Sequence, residues 1–173
     1  MLRWIQSRVD DPVAHKMLTE YFDSRAAGFP AHQGRYRTTF PVPDDFIAPN
    51  GTFLIAVEDD MHLGCGGIRR IESAGISARI SSGICADISA STDIRRYEVK
   101  HLYLRSAARG QGSGRALLAE LERRARAFHA TELVLDTNAS LTAAGNLYRS
   151  SGYRDIPPYN ENPNATNWYQ KIL

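Results

Sequence analysis

The chain is short of several things that would narrow its function quickly. It has only two cysteines, Cys65 and Cys85, and they form neither a metal-spaced nor a redox pair; no two of the histidines stand three or four residues apart. No metal is therefore expected, and both thiols are read as buried or incidental. No apolar run approaches the length of a membrane span, and the opening "MLRWIQSRVDD" has no signal-like apolar core. The expectation is a cytoplasmic protein with no membrane partner. Charge of one sign is also lacking: a net charge of +2 is too small for a general nucleic-acid binder, so any affinity for phosphate must be local. Asn-x-Ser/Thr sequons at Asn50, Asn138 and Asn164 carry little meaning without an export signal.

What the chain does have suits one domain. Its 173 residues, 43% hydrophobic and 23% charged, can bury a core without disulfides or metal. "LRWIQSRV" alternates like a strand, and Asp10, Asp11 and Pro12 open a helix expected to reach Ala27 with Val13, Met17, Leu18 and Tyr21 on one face. "GFPAHQGRYRTTFPVPDD" is a loop rich in aromatics and arginine. "TFLIAVE" and "HLGCGGIRRI" form a hairpin through Asp59 and Asp60, where Gly64, Gly66 and Gly67 mark a bulge or close packing. From Glu72 to Arg95 an additional hairpin and a flexible insert fit equally. "YEVKHLYL" is a strand, with Val99, His101 and Tyr103 alternating against Glu98, Lys100, Leu102 and Leu104. A helix then spaces Leu117, Leu121, Ala125 and Phe128 along one face. "ELVLDT" is a buried-type strand, "SLTAAGNLYRSS" a helix closed by Gly152, and "YRDIPP" and "TNWYQKIL" supply two last strands.

Between the fourth strand and its helix lies "RGQGSGR", from Arg109 to Arg115. A glycine-rich turn at a helix start presents free N–H groups and the positive end of the helix dipole to an anion. No acidic residue opens the helix; Arg109 and Arg115 add positive charge instead. A P-loop would require Gly-Lys-Ser/Thr, and a dinucleotide fold G-x-G-x-x-G; neither is present. A structural turn that binds nothing is the competing reading. "GISAR" also fails as a nucleophile elbow.

The pattern R-x-x-G-x-G, formed by Arg109, Gly112 and Gly114, together with "NLYRSSGYRDIPPY" downstream, resembles the GNAT superfamily of acyl-coenzyme A N-acyltransferases. That resemblance covers residues 50 to 157 well, extends to the N-terminal strand and helix, and covers the final segment loosely. It implies an α/β (α+β) fold, a mixed and centrally splayed sheet flanked by helices, with acetyl-coenzyme A as cofactor. The pyrophosphate is expected at Arg109, Gly110, Gln111, Gly112, Ser113, Gly114 and Arg115, and the pantetheine arm along Leu102, Tyr103 and Leu104. Tyr148 stands at the family's general acid, although a core tyrosine would show the same spacing. Glu98 stands where several members carry a carboxylate base, or is a surface residue at the start of a strand. Many relatives have Asn where this chain has Leu141; Asn138 either substitutes in the cofactor site or is a helix-start residue.

The resemblance implies direct transfer in a ternary complex to the primary amine of a small molecule; the small net charge argues against a nucleic-acid partner, and a homodimer is one option. Arg35 and Arg37 are candidates to clamp an acceptor carboxylate, or else are solvated loop arginines. The alternative function is a non-catalytic acyl-coenzyme A sensor or structural partner.

Overall fold

The computed structural model describes residues 1–72 and 94–173. Cys85 and almost all of the segment read as hairpin or insert lie outside the described residues. Within them, strands β1 (Arg3–Ser7), β2 (Gly51–Glu58), β3 (Met61–Ile71), β4 (Arg96–Leu104), β5 (Glu132–Thr137), β6 (Arg154–Ile156) and β7 (Asn167–Ile172) form one mixed sheet. Its order is β1-β2-β3-β4-β5-β7-β6, and β4 and β5 are its parallel pair. Helices α1 (Pro12–Ala27), α2 (Ser113–Ala127) and α3 (Thr142–Ser150) complete the frame. No helix among the described residues is long and apolar enough to cross a membrane.

β2 shows why the sheet is covered on both faces. Leu54 joins Leu117, Leu118 and Leu121 of α2, whereas Phe53, Ile55 and Val57 join Met17, Leu18 and Phe22 of α1. Side chains alternate across a strand, so a strand buried twice reads as an unbroken apolar run, as "TFLIAV" does. Asp59 and Asp60 turn this hairpin with φ of 46° and 61°, the left-handed pair that a two-residue loop of matching twist requires.

The buried stripe of α1 differs from the expected one. Ala14, Met17, Leu18 and Phe22 face the sheet, Val13 is exposed and Tyr21 is half-buried. Apolar residues flank both edges of this stripe, and the helix has rotated to bring the Phe22 ring against the sheet. Sequence spacing alone does not choose between neighbouring stripes.

The alternation expected for β4 is also interrupted. Cys65 pairs with Tyr103 but Gly67 with Lys100, so Gly66 faces two residues, His101 and Leu102. This β-bulge reverses the parity of the strand beyond it. Val99 and Leu102 consequently pack on the α2 side, while the His101 ring and Tyr103 meet the aromatic residues of α1. The glycines of β3 permit the close packing: a Cβ on Gly67 would lie 2.8 Å from the Phe46 ring, and one on Gly64 2.1 Å from the Tyr103 carbonyl oxygen.

Candidate active site

β4 and β5 are paired only from Arg96 opposite Glu132 to Glu98 opposite Val134. Beyond that point they part, and among the described residues the edge of β4 from Val99 to Leu104 has no strand partner on the β5 side. A cavity of about 1000 Å³ opens in the gap. At one end it reaches Leu104, Arg109, Gly110, Gly112, Gly114 and Arg115; at the other it reaches Tyr36, Arg37 and Phe40.

The first end is built for an anion. Gly110 and Gly112 adopt φ of 77° and 82°, which turns the chain so that α2 begins at Ser113. None of the backbone amides from Gly110 to Arg115 donates to a protein acceptor among the described residues. No acidic residue lies in the first turn of α2. The arginines brace the turn: Arg109 Nε donates to the Leu104 carbonyl at 2.9 Å, and Arg115 donates to Ser150 Oγ at 2.8 Å and to the Ser150 carbonyl at 3.1 Å. Successive free N–H groups at a helix start, flanked by guanidinium groups without carboxylate partners, form an anion-binding concavity. The residues present therefore fit a pyrophosphate.

Tyr148 lines the middle of the same cavity from α3. Its ring packs against Tyr153 and Tyr169, while its hydroxyl has no hydrogen-bond partner among the described residues and is not sealed from solvent, so it opens on the cavity. Burial raises its pKa well above the usual tyrosine value, and the phenol stays protonated at neutral pH.

Glu98 has a different environment. It is 1% exposed and absent from the cavity wall. Arg69 Nε donates to its Oε2 at 2.9 Å, Arg69 Nη2 forms an ion pair with the same oxygen at 2.9 Å, and Arg69 Nη1 donates to Asp45 at 3.2 Å. Its Oε1 accepts from Tyr159 at 2.8 Å and from Asn160 at 3.4 Å, and forms an ion pair with Lys100 at 3.1 Å. A buried carboxylate ringed by these donors and absent from the cavity wall holds the cationic groups around it in place. The network continues to the cavity through Asp136, whose carboxylate accepts from Lys100 at 3.3 Å, Asn160 at 2.7 Å and Asn162 at 3.1 Å.

The remaining candidates divide. Leu102, Tyr103 and Leu104 line the cavity on the parted strand. Gln111 and Ser113 belong to the amide-lined turn, Ser113 being buried, and Gln111 Nε2 donates to the Ala107 carbonyl at 3.2 Å. Asn138 lines the cavity and is 1% exposed, with its side chain engaged by the protein: Nδ2 donates to Gln33 Oε1 at 2.7 Å and to the Asn164 carbonyl at 3.0 Å, and Oδ1 accepts from the Ser140 amide. Arg37 lines the cavity and Arg35 does not. The Arg37 backbone is clamped by Asn164, which accepts from its N–H at 2.9 Å and donates to its carbonyl at 2.8 Å.

Sequence reasoning missed Arg25, Arg69, Lys100, His101 and Asp136, and for Asn160, Asn162 and Asn164 it reached only the segment "PPYNENPNATNWY" as a flank of the acceptor mouth, without singling them out. One signal was visible for the last group: the alternation of Asn at 160, 162 and 164 in "NENPN" is unusual for a loop that only connects strands. Arg25 carried none, as it is one charge among several on α1. Among the described residues no group of three or more His, Cys, Asp or Glu side chains is placed to hold a metal ion.

A mixed sheet parted behind its fourth strand, with an amide-lined turn where that strand hands over to a helix, defines a fold built around an extended phosphate-bearing ligand. Residues 14–153 match the acetyltransferase (GNAT) family, and the chain belongs to that family. A GNAT-family acetyltransferase from Staphylococcus aureus Mu50 superposes over 100% of this chain and 99% of its own, with a TM-score of 0.71 and 14% identity. A GNAT-family acetyltransferase from Elizabethkingia anophelis, solved with acetyl-CoA bound, superposes over 99% of this chain and 98% of its own, with a TM-score of 0.60 and 16% identity. At these identities the likeness is one of fold. Among curated relatives, an uncharacterized N-acetyltransferase of Dictyostelium discoideum is 36% identical over 40% of this chain and 32% of its own length. An IAA acetyltransferase of Azospirillum brasilense is 35% identical over 43% of this chain and 49% of its own. The chain spans between about a third and a half of the length of the curated relatives it matches.

Proposed function

We propose that the protein transfers an acetyl group from acetyl-coenzyme A to the primary amine of a small molecule, directly and within a ternary complex, and that the acceptor also carries a carboxylate. The observation that carries this reading is that one cavity joins the free amides of Gly110–Arg115, the open edge of β4 and the Tyr148 hydroxyl, and ends among arginines. Acetyl-coenzyme A, when bound, supplies an acetyl group activated as a thioester. The amides of the turn, with Arg109 and Arg115, would hold its pyrophosphate. The unpaired backbone of Leu102 to Leu104 would take the amide groups of its pantetheine arm. Tyr148, kept protonated by burial, would donate to the sulfur as the C–S bond breaks and the N–C bond forms, and would recover a proton from solvent. Glu98 serves as the buried counter-charge that fixes Arg69 and Lys100 beneath the acceptor.

The walls of the acceptor end support the carboxylate. Arg25 and Arg37 both reach the cavity and have no carboxylate partner among the described residues, whereas Arg69 and Lys100 are already paired. Arg25 lies over the Tyr36 ring, 5.7 Å from its centroid, and Phe22 and Phe40 complete an apolar wall. This combination suits an amino acid with an apolar or aromatic side chain better than a polyamine, which the excess positive charge repels.

Thiol release from acetyl-coenzyme A is the test, with amino acids, the corresponding amines lacking the carboxylate, and polyamines as acceptors. Release is expected with the amino acids, and Arg25→Ala and Arg37→Ala should each raise their KM. Coenzyme A binding without thiol release on any acceptor would replace this reading with that of a sensor. Preference for a polyamine would remove the carboxylate.

A further inference from the structure

Glu98 has no free lone pair on the cavity, so the proton that leaves the attacking amine must go elsewhere. His101 stands at the bulge of β4, where the two strands have parted, in the left-handed region with φ of 56°. Non-glycine residues enter that region uncommonly, histidine more readily than most, and those held there concentrate at functional sites. Its ring lines the cavity and is walled by Tyr21, Phe22 and Phe46 at centroid distances of 5.4, 5.5 and 6.1 Å. Nδ1 is buried with no hydrogen-bond partner among the described residues. Nε2 also has no hydrogen bond among the described residues, yet it is not one of the sealed-off atoms and so touches the cavity. Aromatic faces attract an N–H and repel a lone pair, which favours the proton on Nδ1 and leaves the Nε2 lone pair facing the cavity.

On the reading of the site as an acetyltransferase, we infer that His101 is the catalytic proton acceptor, taking through Nε2 the proton that the amine nitrogen sheds as its bond to the acetyl carbon forms. The electron pair of the broken N–H bond remains on nitrogen. The proton passes from Nε2 to solvent, and Tyr148 supplies a separate proton to the departing sulfur, so the net change is one N–H lost and one S–H gained.

The surroundings set how this base works. Burial, then the charges of Lys100 and Arg69, push the His101 pKa down to about 3, and Asp136 opposes them. Asp45 partly screens Arg69, and the phenol of Tyr21 is neutral at working pH because burial raises its pKa. The imidazole is thus uncharged throughout the working range. It cannot strip a free ammonium, whose pKa is about 10 for an alkylamine. It acts only once the attacking nitrogen has become strongly acidic, with Asp136 supporting the transient imidazolium. The acceptor must therefore arrive uncharged, and kcat/KM should rise tenfold per pH unit up to the acceptor's own pKa, with no break near pH 6.5.

The test uses His101→Asn, since Asn also tolerates a left-handed backbone, and His101→Gly, which leaves room for free imidazole. Both should bind acetyl-coenzyme A within about twofold of the parent, and both should lose about 100-fold or more in kcat/KM, the low end for a general base. Added imidazole should restore part of the activity to His101→Gly alone. In the parent protein, ¹⁵N NMR should show one neutral tautomer of His101, protonated on Nδ1, that does not titrate from pH 5 to 9 and whose Nε2 signal shifts when an amino acid acceptor is added with coenzyme A. Unchanged turnover in His101→Asn, a His101 that titrates in that range, or an Nε2 indifferent to the acceptor would each overturn the inference while leaving an active parent as an acetyltransferase. A parent that releases thiol with no amine would overturn the acetyltransferase reading itself, and this inference with it. Should neither variant fold, the NMR measurements on the parent decide.

Discussion

Replacing Glu98 by Gln removes one buried charge and little volume, and it separates the two roles a carboxylate at this position can have. In the native network Oε2 receives both Arg69 contacts, and Oε1 receives Tyr159, Lys100 and Asn160. The Gln carbonyl can keep one of these sets of donors. Its NH₂ then meets the other set, donor against donor. Breaking a buried ion pair by removing one partner costs about 3–5 kcal/mol. Arg69 retains Asp45 and Lys100 retains Asp136, which puts this case near the lower bound, about 3 kcal/mol. For a chain of this length each kcal/mol lowers the melting temperature by about 2–4 °C, so Glu98→Gln should melt about 6–12 °C below the parent. Thermal or urea unfolding followed by circular dichroism reads this directly, alongside thiol release below the transition. The expected outcome is a clear loss of stability with a weaker acceptor KM and retained turnover at saturating acceptor. A variant that melts within about 2 °C of the parent but loses turnover 100-fold or more, with partial recovery at high pH, would show Glu98 to be the base and refute the anchoring argument.

Tyr148→Phe should lower kcat by about 100-fold, leave acetyl-coenzyme A affinity unchanged and leave stability nearly unchanged, because the hydroxyl has no protein partner among the described residues; equal losses of stability and activity would make it a packing residue. Gly112→Ala meets no protein atom within 4 Å but must hold φ of 82°, so it should cost about 1 kcal/mol of stability; coenzyme A should raise its melting temperature less than it raises the parent's, and an undiminished shift would remove the turn from the phosphate site. Asn164→Ala releases the Arg37 backbone and should raise the acceptor KM about tenfold, the equivalent of two ordinary hydrogen bonds, while the KM for acetyl-coenzyme A stays fixed; steady-state kinetics with each substrate varied in turn would show a shared effect if the loop served both.

The anion turn was legible in the chain because everything it needs is local: glycines that turn the backbone, a helix start without an acidic residue, and arginines within a few positions. The buried face of α2 was legible for the same reason, as Leu117, Leu121 and Ala125 recur at the helical period and a single stripe satisfies them. The order of strands and helices followed from such periods, and the family resemblance added the parted sheet. On α1 the same reasoning drew the stripe one residue away at either end, since neighbouring stripes are nearly equally apolar and only the opposing sheet selects between them.

Only the tertiary structure decided where Glu98 and His101 lie and what they touch. Glu98 meets Arg69 across 29 residues of sequence and Tyr159 across 61, and Arg37 meets Asn164 across 127. A strand glutamate looks the same in sequence whether it ends in water or beneath a guanidinium group. His101 sits one step of alternation away from the side its spacing implied, because a single unpaired residue in a ladder reverses every side chain after it. That extra residue is a property of the pairing between β3 and β4, not of either strand alone. A short-range pattern fixes the conformation of a segment, whereas a site assembled from helices, strands and loops far apart in sequence depends on which segments meet and in what register.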